Sequence, residues 1–350
     1  MSVERPASGR RSKSISSQEP EGWRTGPAWQ EMNGRAARKR RILGAVGVAA
    51  AAAATLAVLR PELVLSRIPG AWDGGKSDAK TASHGTPAPL APETERPSGA
   101  PAGTEGVATP DRPFAGSPAE QYADGAAGIV VPEARAAGTM SQEEVAEGLK
   151  LAKDFLVAAN LDPAVIRGER PAAALALLDP YQDDLVTRTG AALDKPGREH
   201  DPVSLFSRFD GKEVRMVGKT VKTRGRITFA EHKDGSVGIH ADVTFVYPLT
   251  KKEQGAPAIE RTIVRRVLDT DLLDPERFKV TPGRLTVRSY DVDIANSACG
   301  VHDGFLHPDF GRGRPSGTAQ APSGPAVDPY DRSRDLDAGR GEGCGTVTRT

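Results

Sequence analysis

Two histidine-containing patterns and one arginine-rich strand hold the side chains of this sequence that are best suited to chemistry. His240 and Asp242 stand two positions apart in a segment of alternating apolar residues, so both face the same side of one strand. An imidazole beside a carboxylate is the pairing from which general bases are built. Their parity places them opposite the apolar series, on the solvent side, where they form an ordinary polar pair unless the sheet encloses a cavity there. We name His240 and Asp242 as the candidate pair and predict no catalytic residue.

A second cluster contains side chains of the types that bind metal ions. Cys299, His302, Asp303 and His307 follow one another closely after the last predicted strand. Their spacing matches no closed zinc pattern, and loop residues beyond a strand are usually solvated. The sequence therefore predicts no metal site and no cofactor.

The third pattern is the arginine-rich stretch from Glu260 to Arg266. It suits an anionic polymer, but Arg261 and Arg265 share one face and can equally pair with acidic residues across a sheet. The whole chain balances 47 Lys and Arg against 46 Asp and Glu, for a net charge of +1. This balance gives no support to nucleic-acid binding. The sequence also lacks a phosphate-binding glycine loop, a serine nucleophile elbow and a zinc-protease motif.

The elements that must position these side chains lie between residues 140 and 310. Ser141 and Glu144 match a capping box, and the apolar residues after them recur at helical spacing. Asp–Pro pairs such as Asp162–Pro163 indicate further short helices. After about residue 212 the apolar residues recur at every second position, which is typical of strands, and Lys233–Asp234–Gly235 indicates a turn between two of them. We therefore predict an α+β domain, with short N-terminal helices packed on a curved antiparallel sheet of about four strands.

This order of elements resembles the nuclear-transport-factor-2-like (cystatin-like) superfamily. The resemblance rests on Ala152–Lys153–Asp154–Phe155–Leu156, on a short Ala/Leu helix that ends at Asp179–Pro180, and on long strands from Thr220 to Ile294. The chain also resembles actinobacterial single-pass membrane proteins that have a Pro-rich tail and a Cys near the C-terminus. The superfamily includes enzymes and noncatalytic domains, so the resemblance implies a fold and leaves the function open.

A basic cluster followed by an uncharged run predicts one transmembrane helix. The cluster is Arg38, Lys39, Arg40 and Arg41, and the eighteen residues from Ile42 to Leu59 carry no charge. Eighteen residues give about 27 Å of helix, close to the bilayer core. The excess of basic residues before the run places the N-terminus in the cytoplasm. The predicted location is the cell membrane, as an integral protein with one span and with the C-terminal domain outside the cell.

Composition divides the rest of the chain. We predict a disordered cytoplasmic tail over 1–41, a transmembrane helix over 42–60, a Pro/Ala/Gly-rich linker over 61–139, the extracytoplasmic α+β domain over 140–310 and a disordered tail over 311–350. The chain has two cysteines, Cys299 and Cys344. In an oxidising compartment, two cysteines predict one disulfide, which would link the C-terminal tail to the domain.

The function predicted from these features is a membrane-anchored, noncatalytic binding or interaction module of the cell envelope. Its partner would be another envelope protein or a wall polymer. The alternative is a small extracytoplasmic enzyme or ligand-binding cone of the same fold. An enzyme or ligand cone requires an apolar cavity into which titratable side chains point, whereas an interaction module has a solid interior.

Overall fold

The structure, a computed structural model, describes residues 87–253, 258–310, 326–336 and 345–350. Its dominant element is one seven-stranded sheet. In the described residues, the strands are β1 Ala123–Asp124, β2 Ile129–Val130, β3 Val214–Met216, β4 Lys222–Glu231, β5 Val237–Lys251, β6 Glu260–Leu272 and β7 Thr286–Ala295. The main path through the sheet runs β1-β4-β5-β6-β7. The pairings are antiparallel except for that of β2 with β4.

The helices are few and mostly short. In the described part of the chain they are α1 Gln142–Asn160, α2 Pro163–Ile166, α3 Ala172–Leu175 and α4 Asp183–Asp194. The predicted capping box at α1 is confirmed, since Ser141 and Glu144 exchange both of its hydrogen bonds. A 3₁₀ turn, Pro202–Ser204, follows α4 and is capped by Asp201.

One face of the sheet, here the helix face, carries the main core. Alternate residues of β5, namely Ile239, Ala241, Val243, Phe245 and Tyr247, are at most 2% exposed and pack in the cluster that includes the apolar side of α1. Full burial of a side chain such as Phe155 stabilises the fold by about 2–3 kcal/mol.

The opposite face, here the strap face, is covered by two segments without long elements. Residues 87–122 and 326–336 contribute Phe114, Tyr122 and Tyr330 to a second apolar cluster with Val246 and Ile263 of the sheet. Both segments also make ion pairs with side chains of this face, Glu93 with Arg224 and Arg332 with Asp242. The sheet is therefore buried on both faces over much of its area.

The predicted fold class is wrong in three respects. The sheet has seven strands rather than about four, and strand residues outnumber helical ones in the described ranges. The apolar–polar alternation of the sequence did not predict β1, β2 and β3, because strands of two or three residues are too short to show a period of two. The linker predicted over 61–139 is ordered where the structure describes it, because Phe114 and Tyr122 give that Pro-rich stretch enough apolar area to dock.

The membrane prediction is not supported either. Within the residues that the structure covers, no helix combines the length and the apolar character needed to cross a bilayer. The basic cluster Arg38–Arg41 and the run over 42–60 lie outside the described residues. The transmembrane helix, the integral membrane partner and the single-pass location are therefore withdrawn.

The predicted disulfide is not part of the described structure. Cys344 lies outside the described residues, and Cys299 is the one cysteine within them. No disulfide thus joins two described cysteines, although Cys299 itself is not a free thiol. Cys299 is disulfide-bonded, and its predicted pairing with Cys344 stays a prediction.

Candidate functional site

The predicted pair His240 and Asp242 shares the strap face, but the two side chains do not pair with each other. His240 Nδ1 lies 2.8 Å from Asp269 Oδ1 on the neighbouring strand. Asp242 accepts two hydrogen bonds from Arg265, at 2.9 and 2.8 Å. Cross-strand neighbours, rather than residues two apart on one strand, therefore provide the partners. The expected pairing of Arg265 with an acidic residue across the sheet is confirmed.

Asp269 is the centre of a polar cluster on this face. Ser289 Oγ donates to Asp269 Oδ2 at 2.9 Å, and Arg288 lies 3.7 Å from the same carboxylate. A register shift in the pairing of β6 with β7 lies beside Asp269 and brings both Arg288 and Ser289 to it. Burial acts to raise the pKa of Asp269, but the hydrogen bond and charge of His240 lower it. Both carboxylate oxygens of Asp269 therefore have partners, and the side chain of His240 is 44% exposed.

The second predicted cluster is divided among separate contacts. His307 Nε2 lies 2.9 Å from Asp303 Oδ1, and its Nδ1 lies 3.2 Å from Glu213. His302 Nδ1 lies 3.6 Å from Asp201, which is beyond hydrogen-bond distance. Among the described residues, no three side chains of metal-binding type come together in a way that suits an ion.

A groove that the sequence did not predict runs between α4 and the outer edge of β7. It consists of two adjoining clefts of about 470 and 320 Å³, both of which are lined by Leu185, Arg188 and Tyr290. We call this feature the edge groove. Tyr290, which is 38% exposed, lines both clefts.

The two ends of the edge groove differ in their side chains. The first cleft, at the start of α4, is lined by Asp183, Asp184, Val287 and Arg288. The second cleft lies against the 3₁₀ turn and is lined by Asp201, Val292 and His302. The side chain of Asp201 is 9% exposed, and burial raises the pKa of its carboxyl group. The centre of the groove therefore combines Leu185 and Tyr290 with the charged Arg188, and both ends are polar.

The wall at the 3₁₀ turn is held by a buried guanidinium. Arg266, on the helix face of β6, donates to the carbonyl oxygens of Ser204 at 2.7 Å and Val203 at 3.1 Å. It also donates to Asn160 Oδ1 at the end of α1 and to Ser207 Oγ. Burial lowers the pKa of Arg266 to about 10. One side chain thus ties the groove wall, α1 and the sheet together.

The outer edge of β7 is paired only at its start. Leu285 exchanges backbone hydrogen bonds with Leu177 and Asp179, at 2.7 and 3.0 Å. The next outward position, Val287, bonds to the side-chain amide of Gln182, with Nε2 donating to the carbonyl oxygen at 2.7 Å and Oε1 accepting from the amide at 2.8 Å. From residue 288 to residue 295, no described segment continues this ladder.

Comparison with known proteins does not identify a family for this chain. No family model, curated protein or solved structure matches the chain. The resemblance to the nuclear-transport-factor-2-like superfamily and to actinobacterial membrane proteins thus stays a prediction.

Proposed function

We propose that this chain is a noncatalytic binding module whose edge groove accepts an extended peptide as an added strand on β7. The observation that carries the proposal is the interrupted ladder at that edge. Gln182 imitates a peptide group of a neighbouring strand at Val287, and no described strand pairs with the edge of β7 beyond it. An unpaired edge beside a groove is the geometry of β-strand addition, in which main-chain hydrogen bonds supply affinity.

The lining of the groove indicates the chemistry of the peptide. Tyr290 and Val292 point to the helix face of β7, because their partners across the ladder are Leu268 and Arg266. Leu185 of α4 stands on the other side of the groove. A peptide of about six or seven residues spans the free edge at roughly 3.4 Å per residue. Its alternate side chains would be apolar, since they would enter between Tyr290 and Leu185.

The geometry gives less support to an enzyme or ligand cone. Both clefts are open to solvent, and charged side chains line much of them. Asp201 and His302 do line one cleft together, but they are too far apart for a hydrogen bond. Peptide addition needs none of these groups to transfer a proton.

The proposal is tested with heptapeptides selected from a random library on the full chain. We expect the selected peptides to alternate apolar residues and to lose about tenfold to a hundredfold in affinity for Tyr290→Ala, because a central aromatic anchor contributes most of such binding energy. Val301→Ala is the matched control, since Val301 is similarly exposed at 41% and lies outside the lining of both clefts. Equal loss in both variants, or selected peptides that ignore Tyr290→Ala, would refute the proposal.

A further inference from the structure

The C-terminal residues 326–336, here the tail segment, cross the strap face of the sheet as a separate strap. Their backbone pairs with the chain terminus, where Val327 exchanges hydrogen bonds with Thr346 and Thr348. In the described ranges, no backbone–backbone hydrogen bond joins the tail segment to a strand of the sheet. The segment is therefore held to the sheet through side chains of both partners: Arg332 donates to the carbonyl oxygen of Arg224, and Arg265 donates to that of Arg334 at 2.7 Å.

Two side chains of the tail segment are the anchors. Tyr330 is 1% exposed and meets Tyr122 edge to face, with ring centroids 6.2 Å apart. Arg332 is 3% exposed, forms an ion pair with Glu93 and lies 3.8 Å from Asp242. Tyrosine and arginine are among the residue types that contribute most to binding energy at protein interfaces. The segment thus presents a Tyr-x-Arg pattern to a complementary surface.

The surface beneath the tail segment, here the tail site, keeps its own ion pairs. Asp242 is paired with Arg265, and Glu93 lies 3.1 Å from Arg224. Both carboxylates retain an arginine if Arg332 leaves, so departure of the tail leaves neither of them alone in the interior. Binding of the tail segment to the sheet also costs free energy, because the guanidinium of Arg332 must leave water. This cost is large since Arg332 is deeply buried. These two features favour exchange of the tail segment.

We propose that the tail site recognises peptides in which tyrosine is followed two positions later by arginine, and that residues 328–332 fill it as a built-in competitor. The site lies on the face of the sheet opposite the side chains of the edge groove, so this inference stands or falls independently of the proposed function. A partner segment with the same pattern would displace the tail. A tethered competitor acts at an effective concentration of about 1 mM, so the intact chain resists weak ligands.

The test uses a fluorescent peptide with the sequence of residues 326–336 and two full-length variants. In Tyr330→Ala/Arg332→Ala the anchors are removed from the chain, and we expect the peptide to bind at least tenfold more tightly than it binds the unmodified chain. The single variant Arg332→Ala is the milder form and should show an intermediate affinity. A peptide with alanine at both anchor positions is the control and should bind neither variant.

Adding Asp242→Asn to the double variant should weaken binding of the peptide at least threefold, because it removes the negative charge that lies 3.8 Å from Arg332. A measurement on the unmodified chain avoids any question of folding. Peptide at several millimolar should displace the tail and shift the NMR signals of the Tyr330 ring toward those of an exposed tyrosine. If these signals do not move, or if folded Arg332→Ala binds the peptide no better than the unmodified chain, the tail is a fixed part of the fold and the proposal is wrong.

Discussion

Replacing Arg266 by methionine tests how the groove wall is held. The side chain is 4% exposed and makes four described hydrogen bonds, to Asn160, Ser204, Val203 and Ser207. In the described part of the chain no carboxylate forms an ion pair with it, so backbone and side-chain oxygens alone solvate the charge.

The expected magnitude follows from two opposed effects. Hydrogen bonds from a charged donor contribute about 1.5–3 kcal/mol each, so the four together stabilise the fold by roughly 6–12 kcal/mol. Removing the guanidinium recovers its desolvation penalty, which is several kcal/mol for a buried ion. The net loss for Arg266→Met is about 3 kcal/mol, because its acceptors remain and are only partly reached by water. At a urea m-value of about 3 kcal/mol/M, the midpoint falls by about 1 M.

The assay is equilibrium unfolding in urea, followed by circular dichroism. Arg188→Met is the matched control, since Arg188 is exposed on α4 and we expect its replacement to change stability by less than about 0.5 kcal/mol. A variant Arg266→Met that is as stable as the unmodified chain would refute the reasoning. In that case the buried charge would be a net cost, and packing alone would hold the 3₁₀ turn.

Three further predictions concern other buried or paired groups. Asp242→Ala should cost about 3–5 kcal/mol in urea unfolding, because Arg265 is left charged in the interior; the double variant with Arg265→Leu should recover part of this loss, and no recovery would contradict the pairing. Burial acts to lower the pKa of His307, but hydrogen bonds to its two carboxylate partners raise it above 6.5 in the folded chain. The stabilisation by protonated His307 is therefore full below pH 6.5 and is lost as the pH rises through the folded pKa. The unmodified chain should exceed His307→Gln in free energy of unfolding by up to about 1 kcal/mol at pH 5.5, and this difference should shrink toward pH 9. A difference that grows with pH would reverse this account. Ser141→Ala should cost about 1 kcal/mol through loss of the cap, and Ser141→Asp should not.

Local signals in the sequence predicted local structure well. The capping box at Ser141 and the turn at Asp234–Gly235 are both found where the residues indicate them. The parity that put His240 and Asp242 on one face is also correct, since both project from the strap face. Their partners, Asp269 and Arg265, depend on the register between β5 and β6, which one strand cannot reveal.

The edge groove lay beyond sequence reasoning for a similar reason. Its lining combines α4, the 3₁₀ turn and β7, which are more than a hundred residues apart at the extremes. The one signal that was available is Tyr290, a large aromatic residue within the polar run of β7. The docked segments on the strap face were missed because proline-rich and glycine-rich composition predicts an open chain, whereas a few buried aromatics suffice to fix it.

The central claim is that an extended peptide adds to the free edge of β7. Amide hydrogen exchange, measured residue by residue by NMR with and without a selected heptapeptide, tests it most directly. We predict that alternate amides between residues 288 and 295 become protected at least tenfold, while those of β4 in the sheet interior keep their rates. Unchanged exchange along β7, with the peptide bound elsewhere, would contradict the claim.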